Sequence, residues 1–517
     1  MSELFYTHFT KLTAEQVAEI LKTAPLGGET RLTDSEEIDS LKLTFRREPG
    51  ALNGVFTISD TDTGEETKID IWFNGENAPP REIQRKITLG ASHKTTDRLI
   101  GKAILWESGL WKYQTIYAST VCSSFNRLPD LQTVTAPSDF IAIDDHRYIY
   151  SRVEAEFSGA IVVEVFDLIT MELAGIRFGI GESDEGELSV YGASGTYLGQ
   201  LANYSPIKEK PQEAAPAFGA FGDFRMVYRP FEMTHPMTEA EVRANIAGDT
   251  AMFWDGSFRG PGNVNSEHML PTTDLLYRWS LAHGGGKFKL KFDNAPTWEY
   301  ELTGANTMRF RTDESDAWHE ERYEAFESDA KLVLFAHTIT GAVPAVSMAT
   351  AIDLENGLAT CAFGHMGNPD VPREPLREFL FGAIEAYGIT PSTERHAFTK
   401  ELVGKSFTWS YTREMTSQHI YSSPESYSWT IFLDDGKPGL MWSSPCQYVK
   451  IRDGVYMMSW IESRSAGNLN TFLFNTKTMH DVGVAFGINH NQVFEFNTFG
   501  AEARSAGALD LSGIWGK

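Results

Sequence analysis

Alternation of apolar and polar residues with a period of two runs through most of the chain and predicts short strands. Val55-Phe-Thr-Ile58 and Lys68-Ile-Asp-Ile-Trp-Phe73 flank the turn Thr61-Asp-Thr-Gly64, a hairpin pattern. The same alternation marks Lys287-Phe-Lys-Leu-Lys-Phe292, Trp298-Glu-Tyr-Glu-Leu302, Thr307-Met-Arg-Phe-Arg311 and Lys331-Leu-Val-Leu-Phe335. Helices are expected at 13–22, near 238–247 and near 375–387. The first two open on a threonine whose partner three residues on can close a capping box. Residues 201–222, with Pro206, Pro211 and Pro216, read as a linker. Gly284-Gly-Gly286 reads as a turn.

The strand pattern repeats itself. Thr170-Met171-x-x-x-Gly175-x-x-Phe178-Gly179-Ile180 recurs 308 residues later as Thr478-Met479-x-x-x-Gly483-x-x-Phe486-Gly487-Ile488. Ile143, Asp145, Tyr148, Ser151 and Glu154 recur at the same offset as Ile451, Asp453, Tyr456, Ser459 and Glu462. Leu99-Ile-Gly-Lys102 with Trp106 recurs as Leu402-Val-Gly-Lys405 with Trp409. A fainter copy lies at 285–366, where Ile352-Asp353-Leu354 echoes Phe166-Asp167-Leu168. Duplication fixes the architecture before any chemistry is considered. The expected fold is mainly β, as tandem calycin- or lipocalin-like small antiparallel barrels with a few short helices. The expected units are a divergent N-terminal β unit at 1–98, a barrel at 99–205, a linker and helical connection at 206–284, a barrel at 285–395 and a last barrel at 396–517.

A net charge of −25 argues against nucleic acid and against an anionic membrane surface as partners. No stretch of about 18 apolar residues is long enough to span a membrane, and the start carries no secretion pattern. Cys122, Cys361 and Cys446 are far apart and odd in number, which points to a reducing, cytoplasmic setting. Neither a metal nor a cofactor is expected: no two-histidine or two-cysteine ligand spacing occurs, and there is no phosphate loop or Gly-x-Ser-x-Gly elbow. Symmetric pairing into a homodimer is the common default.

The last unit concentrates the candidate chemistry. Alternation puts Tyr456, Met458, Trp460 and Glu462 on one face of a strand. It groups Phe407, Trp409 and Tyr411 on a second strand, and Tyr427, Trp429 and Ile431 on a third. If these faces turn inward, an aromatic cavity holds one carboxyl, whose pKa the apolar walls would raise toward general acid–base use. The alternative is an outward Glu462 and aromatics that fill the core. In the first copy Tyr148, Tyr150, Arg152 and Glu154 share a face, and Arg152 stands close enough to pair with Glu154 and lower its pKa. The middle copy has His337 near this position, with Tyr323 upstream; His419 and Tyr421 follow Tyr411 in the last.

Residues 400–500 resemble the C-terminal domain of the MoaF-like proteins, and 270–366 resemble their N-terminal domain. The carrying residues are Gly404-Lys405, Trp409, Tyr421, Tyr427-x-Trp429, Tyr456-x-x-x-Trp460-x-Glu462 and Gly483. Nothing in them points to pterin or molybdate handling. The last unit also resembles bacterial phenolic acid decarboxylases, through Gly454-Val-Tyr456-x-x-Ser459-Trp460-x-Glu462 and Asn475-x-Lys477-x-Met479-His480. That resemblance implies a lipocalin-like barrel with Glu462 as its acid–base group on a hydroxycinnamate. The family's tyrosine pair falls on Trp409 and Tyr411, and its arginine falls near Thr430, so both features depart.

The expected function is a cofactor-independent lyase or isomerase acting on a small apolar, aromatic or enone-like molecule. Glu462 would shuttle the proton. Tyr411, His419 and Tyr456 would orient substrate oxygens. Trp409, Tyr421, Tyr427, Trp429 and Trp460 would form the wall. Glu154, Arg152, Tyr148, His337 and Tyr323 are secondary candidates. The rival expectation is a carrier that binds a small hydrophobic ligand without reacting.

Overall fold

The computed structural model describes residues 12–35, 38–73, 83–154, 159–181, 183–202, 270, 273–342, 344–366, 375–386, 388–411, 416–432, 438–462, 468–488 and 494–516. The helix expected near 238–247 and most of the linker at 201–222 lie outside them.

The described strands form four antiparallel sheets. Strands Gly27–Ser35, Ile38–Arg46, Asn53–Asp60, Glu66–Phe73 and Ile83–Thr88 meander into an open N-terminal sheet. Eight strands from Lys102–Ser108 to Gly186–Gln200 make the first barrel. It closes where Val134–Ala142 pairs with Arg147–Glu154. Nine strands from Lys287–Phe292 to Leu376–Glu385 make the middle sheet. Its two edges, Ser315–Arg322 and Glu324–Asp329, are consecutive in the chain and joined by Tyr323. Eight strands from Lys405–Ser410 to Phe494–Ala508 make the last barrel, closed by Pro438–Arg452 against Val455–Glu462. Closure pairs every backbone edge of these two barrels.

The helix expected near 375–387 is instead the strand Leu376–Glu385. It pairs with Leu358–His365 on one side and Lys287–Phe292 on the other. Its apolar spacing suits a helix, but two flanking ladders decide the outcome. Gly382 lets the backbones meet: a Cβ there would lie 2.1 Å from the Lys291 carbonyl oxygen. The helix Ala14–Thr23 forms with its capping box, the Thr13 side chain accepting from the Gln16 amide.

The repeated motif has a structural meaning. In all four sheets one hairpin turns on the same device. The Oδ1 of Asp60, Asp167, Asp353 and Asn475 accepts from the amides two and three residues on. Four residues after each, Gly64, Met171, Gly357 and Met479 take positive φ. The N-terminal sheet is therefore a fourth copy, reduced to five strands.

Gly175 and Gly483 serve rings on the adjacent strand. Each faces an aromatic partner directly, Tyr191 and Phe499. A Cβ at either glycine would sit 2.5 Å from that ring. Gly175→Ala and Gly483→Ala are each expected to destabilise by about 1–3 kcal/mol through overpacking. Thermal unfolding checks this, and an unchanged midpoint in both would contradict it.

The copies also pack alike. The N-terminal sheet lies on the outside of the first barrel, with Leu43, Phe45 and Ile58 against Val163, Ile176 and Phe178. The middle sheet lies on the last barrel, with Leu334, Ala349 and Ala351 against Met457, Leu473 and Val484. Both joints use the same ties. Arg147 reaches Asp60 and Thr67 shares a hydrogen bond with His93. Arg452 reaches Asp353 and Thr360 shares one with His396. The two closed barrels meet about a pseudo-two-fold. The Ala202 amide donates to the Ala506 carbonyl, and the Asp510 amide to the Leu198 carbonyl, both at 2.8 Å. The equivalent hydroxyls of Thr135 and Ser443 share a hydrogen bond at 2.6 Å. This is an isologous dimer interface drawn into one chain. Among the described residues no helix is long and apolar enough to cross a membrane.

Candidate functional site

A groove of about 1040 Å³ runs outside the first barrel, lined by Arg85, Lys94, Arg98, Asp139 and Asp145 among others. It holds none of the candidate residues. Arg85 is paired with Asp139 and Arg98 with Asp145. The barrel interiors hold the candidate chemistry instead.

In the last barrel the strand Val455–Glu462 alternates as its sequence predicts. Val455, Met457 and Ile461 face out toward the middle sheet; Tyr456, Met458 and Trp460 belong with the barrel's aromatic interior. Trp460 lies 5.7 Å from Tyr427, 6.4 Å from His419, 5.2 Å from Phe472 and 6.2 Å from Phe499, centroid to centroid. Trp409 packs on His419 at 5.7 Å and on Phe474 at 4.5 Å. His419 stacks edge-on to Tyr427 at 5.1 Å. Tyr411 meets Phe499 at 6.1 Å. Trp429 is the cross-strand partner of His419, and its indole N–H donates to Ser444 Oγ. Tyr411, His419, Tyr421, Tyr427, Trp409 and Trp460 thus form one aromatic chamber. Glu462, two residues beyond Trp460 and half-buried, is close enough to Tyr427 to push that phenol's pKa up further than burial alone does.

Tyr456 does not join this group. Its hydroxyl donates to Glu401 at 2.7 Å. It also stands six residues from Glu462 on one strand, roughly 20 Å away at about 3.3 Å per residue. Tyr456, expected to orient a substrate oxygen, instead spends its hydroxyl on Glu401 away from Glu462.

Several polar atoms of the chamber have no hydrogen-bond partner among the described residues. They include Trp460 Nε1, His419 Nδ1 and Tyr421 Oη, the last approached by the Trp409 indole. His419 is 4% exposed, and burial pushes its pKa down to about 3. It is a neutral imidazole at neutral pH, able to donate or accept a hydrogen bond but not to carry charge.

Asp481 is a chamber residue that the sequence reading missed. Along His480–Ile488, Val482, Val484 and Phe486 face out, which places Asp481 inward beside Phe474 and Ala501. It is 1% exposed. Its Oδ1 accepts from the Ala501 amide at 2.7 Å, and its Oδ2 has no partner among the described residues. Burial holds its pKa well above the usual carboxyl value. The signal was present in the repeat: Asp481 stands where the first barrel has Leu173.

The first barrel answers the same interior with charge. Arg152 Nε and Nη2 donate to Glu154 Oε1 at 3.1 and 3.0 Å, and Arg177 Nε donates to Glu154 Oε2 at 2.9 Å. Glu164 Oε1 accepts from Tyr113 and Tyr191 hydroxyls at 2.7 and 2.6 Å. Burial pushes Glu154 up, but the guanidinium groups of Arg177, Arg152 and Arg127 more than offset it and hold the pKa at about 2. Tyr148 lines the same interior, stacked on Phe166 at 5.8 Å.

In the middle sheet His337 occupies the Arg152 and Trp460 position by strand register. Its Nε2 shares a hydrogen bond with Tyr300 and its Nδ1 donates to the Thr338 carbonyl. Burial lowers its pKa to about 4. Tyr323 donates to the Gly304 carbonyl. Both are satisfied core residues here. Among the described residues no group of three or more His, Cys, Asp or Glu side chains is placed to hold a metal.

The chamber lies in the part of the chain that matches a known family. Residues 396–508 match the family model of the MoaF C-terminal domain. The matched region, hereafter the MoaF-type barrel after the model it matches, is the last of the four sheets, and the first barrel is its pseudo-symmetric copy. A solved structure of a protein of unknown function from the DUF3598 family of Nostoc punctiforme is also similar. The identity is 12%, over 42% of this chain and 94% of that one, with a TM-score of 0.24. A search of curated proteins finds no match. These matches do not show the resemblance to phenolic acid decarboxylases.

Proposed function

We propose that the MoaF-type barrel binds a small, largely apolar molecule that carries at least one hydrogen-bonding oxygen. The observation behind this reading is the set of buried polar atoms, His419 Nδ1 and Trp460 Nε1 with Tyr421 Oη beside the Trp409 indole, that have no hydrogen-bond partner among the described residues of one aromatic chamber. Buried polar groups are normally satisfied, and each unmade bond costs about 1–3 kcal/mol. A bound ligand with oxygen substituents supplies the missing partners and stacks on Trp460 and Tyr427. Trp460→Arg, which installs the first barrel's residue, is expected to abolish binding of an aromatic ketone, read by calorimetry. Unchanged affinity would remove the chamber from consideration.

A second reading adds proton transfer. It rests on the half-buried Glu462 carboxyl beside Tyr427, at the edge of a chamber with neutral walls. Glu462 would take a proton from carbon on the ligand and return it elsewhere, which is isomerase or lyase chemistry without a cofactor. The test is the ligand itself: incubated with protein in deuterated water, it exchanges or rearranges with wild type and not with Glu462→Gln. A ligand returned chemically unchanged and without deuterium makes the protein a carrier.

A further inference from the structure

We infer that Asp481 is a hydrogen-bond donor to the ligand and that it selects uncharged carbonyl compounds over carboxylates. The inference rests on the reading of the MoaF-type barrel as the binding chamber and names its ligand class.

Both closed barrels bury carboxyl groups on the inner face, but at different places and with different charged neighbours. In the first barrel, besides Glu154 between its arginines, Glu164 receives two tyrosine hydroxyls on Oε1, has no partner for Oε2 among the described residues, and has the Arg152 guanidinium 3.6 Å away. Phe472 stands at that position in the last barrel. There the carboxyl has moved to the next strand as Asp481, where the first barrel has Leu173. Among the described residues Asp481 has one backbone amide and no paired cation, and the phenols Tyr411 and Tyr421 meet it electrostatically. Arg152, the cation of the first chamber, is replaced by Trp460.

The geometry assigns the two oxygens. Oδ1 is fixed as an acceptor by the Ala501 N–H, so a proton on the group resides on Oδ2, the unpartnered oxygen. Burial favours that protonated form. An O–H pointing into an apolar chamber seeks an acceptor, and a ketone, aldehyde or enone oxygen provides one. A ligand carboxylate would enter beside a carboxyl with no arginine to neutralise it, at a desolvation cost that nothing in the chamber returns.

The experiment uses the full chain and two probes of one skeleton, 4-phenylbut-3-en-2-one and cinnamate, titrated by calorimetry at pH 7.5. Wild type is expected to bind the ketone at least tenfold more tightly than the carboxylate. Asp481→Asn keeps an N–H donor at the same place and is expected to hold ketone affinity within about threefold. Asp481→Leu, the first barrel's own solution at that position, is expected to lose at least tenfold for the ketone. Equal affinity of wild type for both probes, or an unaltered ketone affinity in Asp481→Leu, overturns the role of Asp481 and leaves the chamber standing. Failure of both probes to bind wild type removes the chamber and the inference with it.

Discussion

Arg152→Ala is expected to destabilise the first barrel by about 3–5 kcal/mol, the cost of removing one partner from a buried ion pair. The guanidinium is 3% exposed, bridges Glu154 to Glu164, and lies over the Phe125 ring at 4.4 Å. Its loss strips Glu164 of its cation and leaves Glu154 to Arg177 and the more distant Arg127. The pH dependence follows from Glu154. A carboxyl held at about 2 in the folded state contributes stability that is present above its unfolded pKa of about 4.3 and is lost as pH falls toward 2. Integrated over that shift, the contribution is roughly 3 kcal/mol. Arg152→Ala should therefore shrink the difference in stability between pH 7 and pH 3 as well as lower stability at pH 7. Thermal unfolding of the full chain at the two pH values reads both. A loss of under about 1 kcal/mol at pH 7 would put the pair on a level with exposed salt bridges and contradict its burial.

Asp481→Leu is expected to do the opposite to stability while weakening ketone binding. A buried hydroxyl-bearing group with an unmade hydrogen bond costs about 1–3 kcal/mol, and leucine at this position is already accommodated in the sister barrel. The variant should gain stability of that order. The gain should grow with pH. Because the folded-state pKa of Asp481 is raised, the folded chain holds a proton that the unfolded chain releases above about pH 4, so wild type loses stability as pH rises from there toward the folded pKa. The slope approaches about 1.4 kcal/mol per pH unit over that range, and leucine abolishes it. Thermal midpoints of the two proteins should diverge between pH 4 and pH 8. Parallel curves would show that Asp481 is ionised in the folded barrel. A residue that weakens its own fold in exchange for an unpaired donor is the expected signature of a binding site.

The hydrophobic pattern carried most of this architecture. Period-two alternation put Tyr456, Met458 and Trp460 on the inner face and Met457 and Ile461 on the outer one, and the structure keeps that division. The exact recurrence of Gly175 as Gly483 was legible, but its reason was not. A glycine can mark a turn, a bulge or a crowded strand, and the Tyr191 and Phe499 rings that require it lie on another strand. The helix expected at 375–387 failed because pairing on both flanks is a long-range fact that local spacing does not contain. The site was legible in part. Arg152 beside Glu154 announced its ion pair because both lie on one strand. Tyr456 misled because same-face residues on a strand share direction and not proximity. Asp481 was overlooked because its neighbours His480 and Val482 drew no attention as a strand start. Reading the two copies position by position, Leu173 against Asp481, would have exposed it.

The ligand is expected to enter the last barrel and not the groove outside the first. Benzophenone is itself an aromatic, uncharged ketone of the proposed class, and light couples it to whatever C–H bonds surround it. Irradiation of the full chain with benzophenone, followed by peptide mapping, locates the bound probe directly. Saturable adducts are expected on the strands Lys405–Ser410, Ser426–Phe432 and Val455–Glu462, and are lost in Trp460→Arg. Adducts confined to the groove residues around Arg85, Lys94 and Arg98, with none in those three strands, would contradict it.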